Sequence, residues 1–543
     1  MVFARRSTTL LAAIIASCAM VLSLTACTSD NKTVVDGQTT VTSNSAGGVA
    51  VFTPSDGITL NQQTPLNKWA KLVPDLAKAL ADAGFKKGDI DHTTSDSLAK
   101  QSRAIQDFVV DHLSNNTTDD SGIAIAPDNM TLLVAPVVEA DASTRQYGDY
   151  ISQNLSTNDV TDEGATSDGE SSEDDSSKDD SSNTESDSTA SDEQAQAVDR
   201  LVSSLKLAKE SGMHVVLLGN SIEGYKPDAF VKFSDAQTIG KLQAEKMVSK
   251  LKLDKASKDN PKYIEVLLPY TAVDEKGNAN DSTFAQEAFR GIWQVLGSYY
   301  QKGVVESPSG TLDGKSTEND WQAVAYDAAK EGSTAKVLDK RLAKTDGQST
   351  LTRIDGIITM NDYIASEVVK ELDDLGYTGS AADINPQITI SGIVGNITGK
   401  KDLSRDAVPD PIKSPENDNA NDSSSSDDDA DKDTSASDKD RDSQWPLVTG
   451  YGAYVSNIPS IVNGKQWMTG MEDRQTIATD IAQACAKLNK DEALNSMPSI
   501  RNSEVGGVKK IPTISEPLLA VSASNLKSAL IDPGYISLAD AGL

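Results

Sequence analysis

Histidine and cysteine are scarce in this chain, with three of each in 543 residues. No HExxH and no CxxC occurs, which removes the common zinc and dithiol arrangements. No GxSxG elbow is present, and GNSIEG from Gly219 has the wrong spacing for one. GIVGNITGKK from Gly392 lacks the phosphate-loop spacing, and no Ser or Thr follows its lysines. Although the chain is rich in Asp, it has no D-x-[DN]-x-[DN]-G loop with a distal Glu. These absences disfavour catalysis and imply neither a cofactor nor a metal. Basic residues are also few, 50 Lys and Arg against 81 Asp and Glu. Phosphate binding needs a basic face, so nucleic acid is excluded as a partner.

The acidity is uneven. Residues 158–193 hold 14 acidic residues and one lysine, and residues 414–442 hold 11 acidic and three basic ones. These two tracts account for most of the net charge of −31, so the remaining chain is only mildly acidic. Both are Ser/Asp runs with almost no apolar residues. They cannot bury enough surface to offset the entropy of ordering, and they read as disordered insertions at 152–195 and 402–443.

One long apolar run stands at the N-terminus. Arg5-Arg6 precede Leu10–Leu24, followed by Leu24-Thr25-Ala26-Cys27. This charged segment, apolar segment and small residue before a cysteine resemble the lipobox of bacterial lipoproteins. The resemblance implies a signal peptide over 1–26, a lipidated Cys27 as first mature residue and a lipid anchor on the outer face of a single-membrane cell. Cys18 would leave with the signal, so Cys485 would stand alone and no intrachain disulfide could form. Cys485 falls in the helical pattern TIATDIAQACAKL and reads as core. Residues 27–55, rich in Ser, Thr, Asn and Gly, read as a flexible tether, with order beginning at GITL from Gly57.

Beyond the tether, strands and helices alternate. MTLLVAPVV, HVVLLGN, KYIEVLLPY and DGIITM are apolar runs without alternation, as in parallel sheets. Helical patterns lie between them, among them VDRLVSSLKLAKESG, AQTIGKLQAEKMVSKL, TFAQEAFRGIWQVLGSYY, DWQAVAYDAAKEG and NDYIASEVVKEL. QITISGIV and WPLVTGYG are rivals for the last strand of this series. The pattern predicts an α/β protein with two sheets in two lobes.

Several strings in order resemble the type I periplasmic sugar-binding proteins of ABC importers, in the xylose- and multiple-monosaccharide-binding branch of the ribose-binding family. GITLNQQTPLNKW resembles the first loop and helix start, with Lys68 and Trp69. DAQTIGKLQAEKM places Asp235, and DSTFAQEAFRGIWQVL places Thr283 and Gln286. NDWQAVAYDAAKE offers Trp321 as a ligand-facing aromatic, and TMNDYIASEVVKEL offers Asn361 and Asp362 as a sugar-binding pair. Two departures stand out. Gly219-Asn220 replaces the usual Asp-Arg, and Gly450-Tyr451-Gly452 replaces the usual Gly-Gln-Asp, leaving Asn220 and Tyr451 at those positions.

The resemblance implies two doubly wound lobes joined by a three-strand hinge. One lobe spans 56–228 and 474–508, the other 229–473 and 509–543. It implies a monomer that takes a small-molecule sugar in the interlobe cleft and meets an ABC permease at the membrane. Asp, Asn, Gln and Lys would pair with hydroxyls, and Trp would cover a sugar face. The lost carboxylate leaves an alternative open: a ligand-sensing or degenerate binding lipoprotein that signals to a membrane partner. Other readings of single residues stay open too. Asn361 and Asp362 fit a helix cap, Trp69 and Trp321 fit a core, Lys68 fits a solvated charge, and Arg474 fits a hinge ion pair.

Overall fold

The computed structural model describes residues 32–35, 38–41, 46–55, 65–115, 125–138, 144–157, 185–273, 280–343, 351–382 and 445–543. The expected signal peptide, Cys27, GITL, QITISGIV and most of both acidic tracts lie outside the described residues. The chain divides into two units, Met1–Asn44 and Ser45–Leu543. In the first, β1 (Lys32–Val35) and β2 (Gln38–Val41) pair antiparallel.

The second unit opens with β3 (Gly48–Pro54), inside the stretch expected to be tether. Its sequence GVAVFTP is an apolar run, and six of its seven residues are buried. Then come α1 (Trp69–Asp82), β4 (Ile90–Ser95), α2 (Leu98–Asn115), β5 (Met130–Val134), β6 (Asn154–Leu155), α3 (Glu185–Glu210), β7 (His214–Leu218), β8 (Ser221–Ile222) and β9 (Ala229–Lys232). Strands β4, β3, β5, β7 and β9 lie side by side in that order and all pair parallel. Strands β5 and β7 are buried along nearly their whole length, as their unbroken Leu and Val runs require. Two corrections fall on the first acidic insertion. Asn154–Leu155 pairs with Ser221–Ile222, and α3 already begins at Glu185.

After β9 the chain crosses to a second lobe. It contains α4 (Ala236–Leu251), β10 (Lys262–Val266), β11 (Leu268–Pro269), α5 (Thr283–Gln301), β12 (Val305–Glu306), β13 (Ala325–Tyr326), α6 (Ser333–Arg341), β14 (Gly356–Ile358), α7 (Asp362–Asp374), β15 (Leu447–Val448), α8 (Ile458–Val462) and β16 (Met468–Met471). Strands β12, β10, β14 and β15 pair parallel in that order, so both sheets place their second strand outside the first. The expected helix DWQAVAYDAAKEG does not form. Asp320–Ala323 is a single 3-10 turn, and Ala325–Tyr326 becomes β13 by pairing parallel with β11 in a two-stranded sheet.

The chain returns through α9 (Arg474–Leu488), β17 (Ile500–Val505) and β18 (Val508–Ser515), which complete the first sheet beside β9. It crosses a third time to β19 (Leu519–Ser522), which pairs antiparallel with β16. Three crossings therefore join the lobes, near Phe233–Asp235, Glu472–Asp473 and Glu516–Leu518. The first and third lie a few residues beyond 228/229 and 508/509, because β9 and β18 stay with the first sheet to their ends.

Each lobe has helices on both faces of its sheet. Leu72, Leu76 and Leu80 of α1 recur every four residues and pack with Ile477, Ile481 and Cys485 of α9 against one face. Val198, Leu201 and Leu205 of α3 cover the other. In the second lobe, α4 and α5 cover one face and α6 and α7 the other. Each fully buried Leu or Ile contributes about 1.5–3 kcal/mol, so four such layers hold the lobes without a disulfide. Cys485 is buried, and burial pushes its thiol well above the ordinary value.

Candidate functional site

In open parallel sheets the carboxyl ends of the strands are where ligands lie. On the first lobe those ends lead to Lys68-Trp69, to Gly219-Asn220 and to Phe233-Ser234. On the second they lead to Asn361-Asp362 and to Gly450-Tyr451. Both groups meet a short stretch that follows β5: Thr144, a 3-10 turn over Arg145–Tyr147, and Gly148-Asp149-Tyr150.

Asp149 docks on the first lobe. One carboxylate oxygen accepts from Lys68 Nζ at 2.9 Å, and the other accepts from the Trp69 backbone N–H at 3.0 Å. Trp69 is the first residue of α1, so the carboxylate also meets the positive end of the helix dipole. The Tyr150 hydroxyl donates to the Lys68 carbonyl at 2.6 Å. Its ring stacks on Phe233 at 4.7 Å and meets Trp69 edge-on at 5.2 Å. Gly148 has φ +93°, and a Cβ there would lie 2.5 Å from the Asn67 carbonyl oxygen, so only glycine lets this backbone lie flat on Asn67.

Gln146 and Tyr147 dock on the second lobe. Asn361 Nδ2 donates to Gln146 Oε1 at 3.1 Å, and the Tyr454 hydroxyl donates to the Gln146 carbonyl at 2.7 Å. Tyr147 is buried, with its ring 4.7 Å from Phe284 and 6.2 Å from Tyr451. Asn361 also caps α7, accepting from the Ile364 N–H at 2.9 Å. The residue before it, Met360, has φ +68°, and this left-handed turn brings the strand end onto the helix.

Asp362 is wholly buried and faces protein on every side. Oδ1 accepts from Gln466 Nε2 at 2.7 Å, and Oδ2 accepts from the Tyr454 N–H and the Thr469 hydroxyl, both at 2.9 Å. Burial pushes its carboxyl up to about 6 against the pull of these bonds. Gly450 makes room for it, since a Cβ there would lie 2.1 Å from Oδ1. Tyr451 is equally buried. Its hydroxyl bonds Ser234, whose hydroxyl also bonds Glu472, and lies 3.4 Å from Glu472 itself. Glu472 accepts the Ser234 N–H at 2.6 Å, and burial pushes its carboxyl up to about 7.

The other expected site residues are spread around this centre. Asn220 holds the stretch from behind: Nδ2 donates to the Pro136 carbonyl at 2.9 Å, and Oδ1 accepts the Gln153 N–H at 3.0 Å. Asp235 caps α4 through the Thr238 N–H at 2.7 Å and pairs with Lys232 at 2.8 Å. Thr283 and Gln286 are exposed and bond Asp281 and Ser282 in the first turn of α5, while Phe284 between them reaches Tyr147. Trp321 is buried against Tyr270, edge-on at 5.1 Å. Arg474 pairs with Asp75 of α1 at 2.6 Å and lies over the Tyr535 ring, so its ion pair ties the crossing to α1. Lys68, Trp69, Asn361 and Tyr451 are thus brought around one stretch of chain, and Asn220 bonds residues on either side of that stretch. Among the described contacts, Asp235, Thr283, Gln286, Trp321 and Asp362 do not touch it.

Sequence reasoning missed Gln146, Tyr147 and Asp149. The signal was RQYGDY, two tyrosines around a Gly-Asp in a chain of low aromatic content, placed between a buried strand and an acidic run. Among the described residues, no group of three or more His, Cys, Asp or Glu could hold a metal ion, and no helix is long and apolar enough to cross a membrane.

No family model matches the chain, and no curated protein matches it. Solved structures do. A solute-binding protein of an ABC transporter from Clostridium phytofermentans with bound β-D-glucose is 17% identical over 91% of this chain and 99% of its own, with TM-score 0.44. A carbohydrate transporter solute-binding protein from Chloroflexus aurantiacus in complex with D-glucose is 19% identical over 92% and 98%, with TM-score 0.42. AraP, an arabinose-binding protein from Geobacillus stearothermophilus, is 10% identical over 89% and 99%, with TM-score 0.41.

Proposed function

We propose that this chain is the extracytoplasmic, lipid-anchored substrate-binding protein of a sugar ABC importer, with Cys27 carrying the lipid. One observation carries the reading. Lys68 of the first lobe and Asn361 of the second reach residues only three apart, Asp149 and Gln146, so both strand-end clusters flank one cleft. The three crossings supply a hinge on which such a cleft opens and closes, and closure gives a permease a distinct surface to read. The donors and aromatics that converge there suit a polyol with an apolar face. The N-terminal Leu24-Thr25-Ala26-Cys27 supports the anchor, and the absence of a catalytic motif supports binding without turnover.

The test is thermal unfolding of the unlipidated protein against pentoses, hexoses and short oligosaccharides. A ligand at a hundred times its Kd adds about 2.7 kcal/mol. Lobes of this size shift by about 2–4 °C per kcal/mol. A shift with one sugar class, lost in Asn361→Ala, supports import and identifies the class. A flat response across the panel, in this protein and in Tyr147→Ala/Asp149→Ala, sinks monosaccharide import.

The occupation of the cleft by Gln146–Asp149 favours a second reading, a sensing or degenerate binding lipoprotein of this architecture that signals to a membrane partner. The flat response in both proteins is the result expected of the degenerate form or of a sensor whose ligand is not one of these sugars.

A further inference from the structure

The residues expected to hold a sugar are held by the chain itself. The Asp149 carboxylate takes the Lys68 ammonium and the Trp69 N–H, the Gln146 side chain takes Asn361, and the Tyr147 ring lies 6.2 Å from that of Tyr451. The same stretch meets both lobes at once. Its Asp149 N–H donates to the Asn67 carbonyl at 2.8 Å on the first lobe, and its Gln146 carbonyl accepts from Tyr454 on the second. An amide, an aromatic ring and a carboxylate within four residues cover the bonding types a sugar would use there. The stretch is also pinned at its base. Val137 and Ala135 bond the Gln101 amide at 2.9 and 2.8 Å, and Asn220 and β8 hold Gln153–Leu155.

We propose that Gln146–Asp149 is the resident ligand of the interlobe cleft, so that a sugar enters only by displacing it. The sugar itself rests on the functional reading above. The occupancy does not. Three contacts explain why the stretch seats: a half-buried ion pair at a helix N-terminus, a bond to Asn361 that is out of bulk water, and a buried tyrosine. Because the stretch is tethered to the first lobe, it competes at an effective concentration on the order of millimolar. A free sugar of ordinary affinity therefore meets a standing competitor. Withdrawal of the stretch would unlatch the lobes, because Gln146 and Tyr147 touch the second lobe while Asp149 and Tyr150 touch the first.

The experiment has two arms on the whole unlipidated chain. Hydrogen exchange resolved over residues 144–151 is compared between the native protein and Lys68→Met/Asn361→Asp. The aspartate keeps the α7 cap and removes the donor to Gln146. The native stretch is expected to be protected, and the variant to exchange at least tenfold faster there with β5 and β7 unchanged. A native stretch that exchanges like a free peptide, or a variant that exchanges like native, overturns the proposal.

In the second arm, the sugar panel is titrated by calorimetry into the native chain and into Tyr147→Ala/Asp149→Ala. An affinity at least tenfold higher in the variant supports displacement. Equal affinity in the two proteins overturns it and leaves sugar binding standing. No binding in either, with the native stretch protected, supports self-occupancy and ends the sugar reading. If Tyr147→Ala/Asp149→Ala fails to fold, Asp149→Asn replaces it and is held to the same criteria.

Discussion

The carboxylate of Asp149 lies astride Lys68 and Trp69, one oxygen 2.9 Å from the Lys68 ammonium and the other 3.0 Å from the Trp69 N–H. The pair is partly shielded, at 15% and 20% side-chain exposure, and it joins residues 81 apart in sequence. It seats one end of the cleft stretch on the first turn of α1.

Asp149→Ala removes both bonds, and Asp149→Asn keeps an acceptor for the Trp69 N–H. Solvent screens part of the ion pair, so the expected loss for the alanine is about 1 kcal/mol, near the range of a helix cap, with the asparagine losing less. Urea unfolding of the two variants checks the order. Equal losses would show that the acceptor on α1 contributes nothing.

Asp362 is expected to act on stability rather than directly on ligand. Asp362→Ala leaves the Tyr454 N–H, the Gln466 amide and the Thr469 hydroxyl without their acceptor in a buried site. Each orphaned group costs about 1–3 kcal/mol, so a loss of about 3 kcal/mol or more is expected. Gly450→Ala should destabilise in the same direction, because its new methyl would displace the carboxylate. Calorimetric unfolding reads both. A stable Asp362→Ala protein would show that these partners rebond elsewhere.

Stability should fall as pH rises from about 4.5 to 7.5. Glu472 has its carboxyl raised by burial from 4.5 to about 7, and Asp362 from 3.8 to about 6. In that window the unfolded chain has lost these protons and the folded chain still holds them, so folding is favoured at the acid end and the advantage vanishes as each group ionises. At 1.36 kcal/mol per pH unit Glu472 accounts for about 3 kcal/mol over this window and Asp362 for about 2 kcal/mol, since part of its interval lies below pH 4.5. The lowered carboxylates, such as Asp235, act oppositely but below this window, while His92 and His112, both lowered by burial, oppose the fall within it. Glu472→Gln should remove about half of the slope between the two pH values in denaturant titrations. An unchanged slope would contradict the assignment to Glu472.

Arg341 and Glu265 form a buried pair at 3.4 Å beside β10, with Glu265 also accepting from Ser307 and the Ser309 N–H at 2.8 Å. Arg341→Met strands that carboxylate and should cost about 3–5 kcal/mol. Adding Glu265→Gln should restore part of the loss. A double variant no better than the single would place the cost in the lost bonds from Arg341 to the Val266 and Val324 carbonyls instead.

Local pattern carried much of the fold. Unbroken apolar runs such as Met130–Val134 and His214–Leu218 marked parallel strands. Asn361 before Ile364, Val368 and Leu372 marked a capped helix, and it is one. The strand Gly48–Pro54 was obscured by the Ser- and Asn-rich stretch before it. DWQAVAY carried a helical pattern, yet Ala325–Tyr326 pairs parallel with Leu268–Pro269, where long-range bonding overrides propensity.

The site divides in the same way. Polar residues at strand ends were legible from the chain, because strand, cap and helix follow from neighbours a few positions apart. Long-range packing set which of those groups meet Gln146–Asp149 and which are consumed inside a lobe. Asn361 meets Gln146 across 215 positions, and Asp362 meets Gln466 across 104. Hydrogen bonds over such separations are chosen by how the sheets stack and where the chain crosses between them, and no local periodicity carries that information.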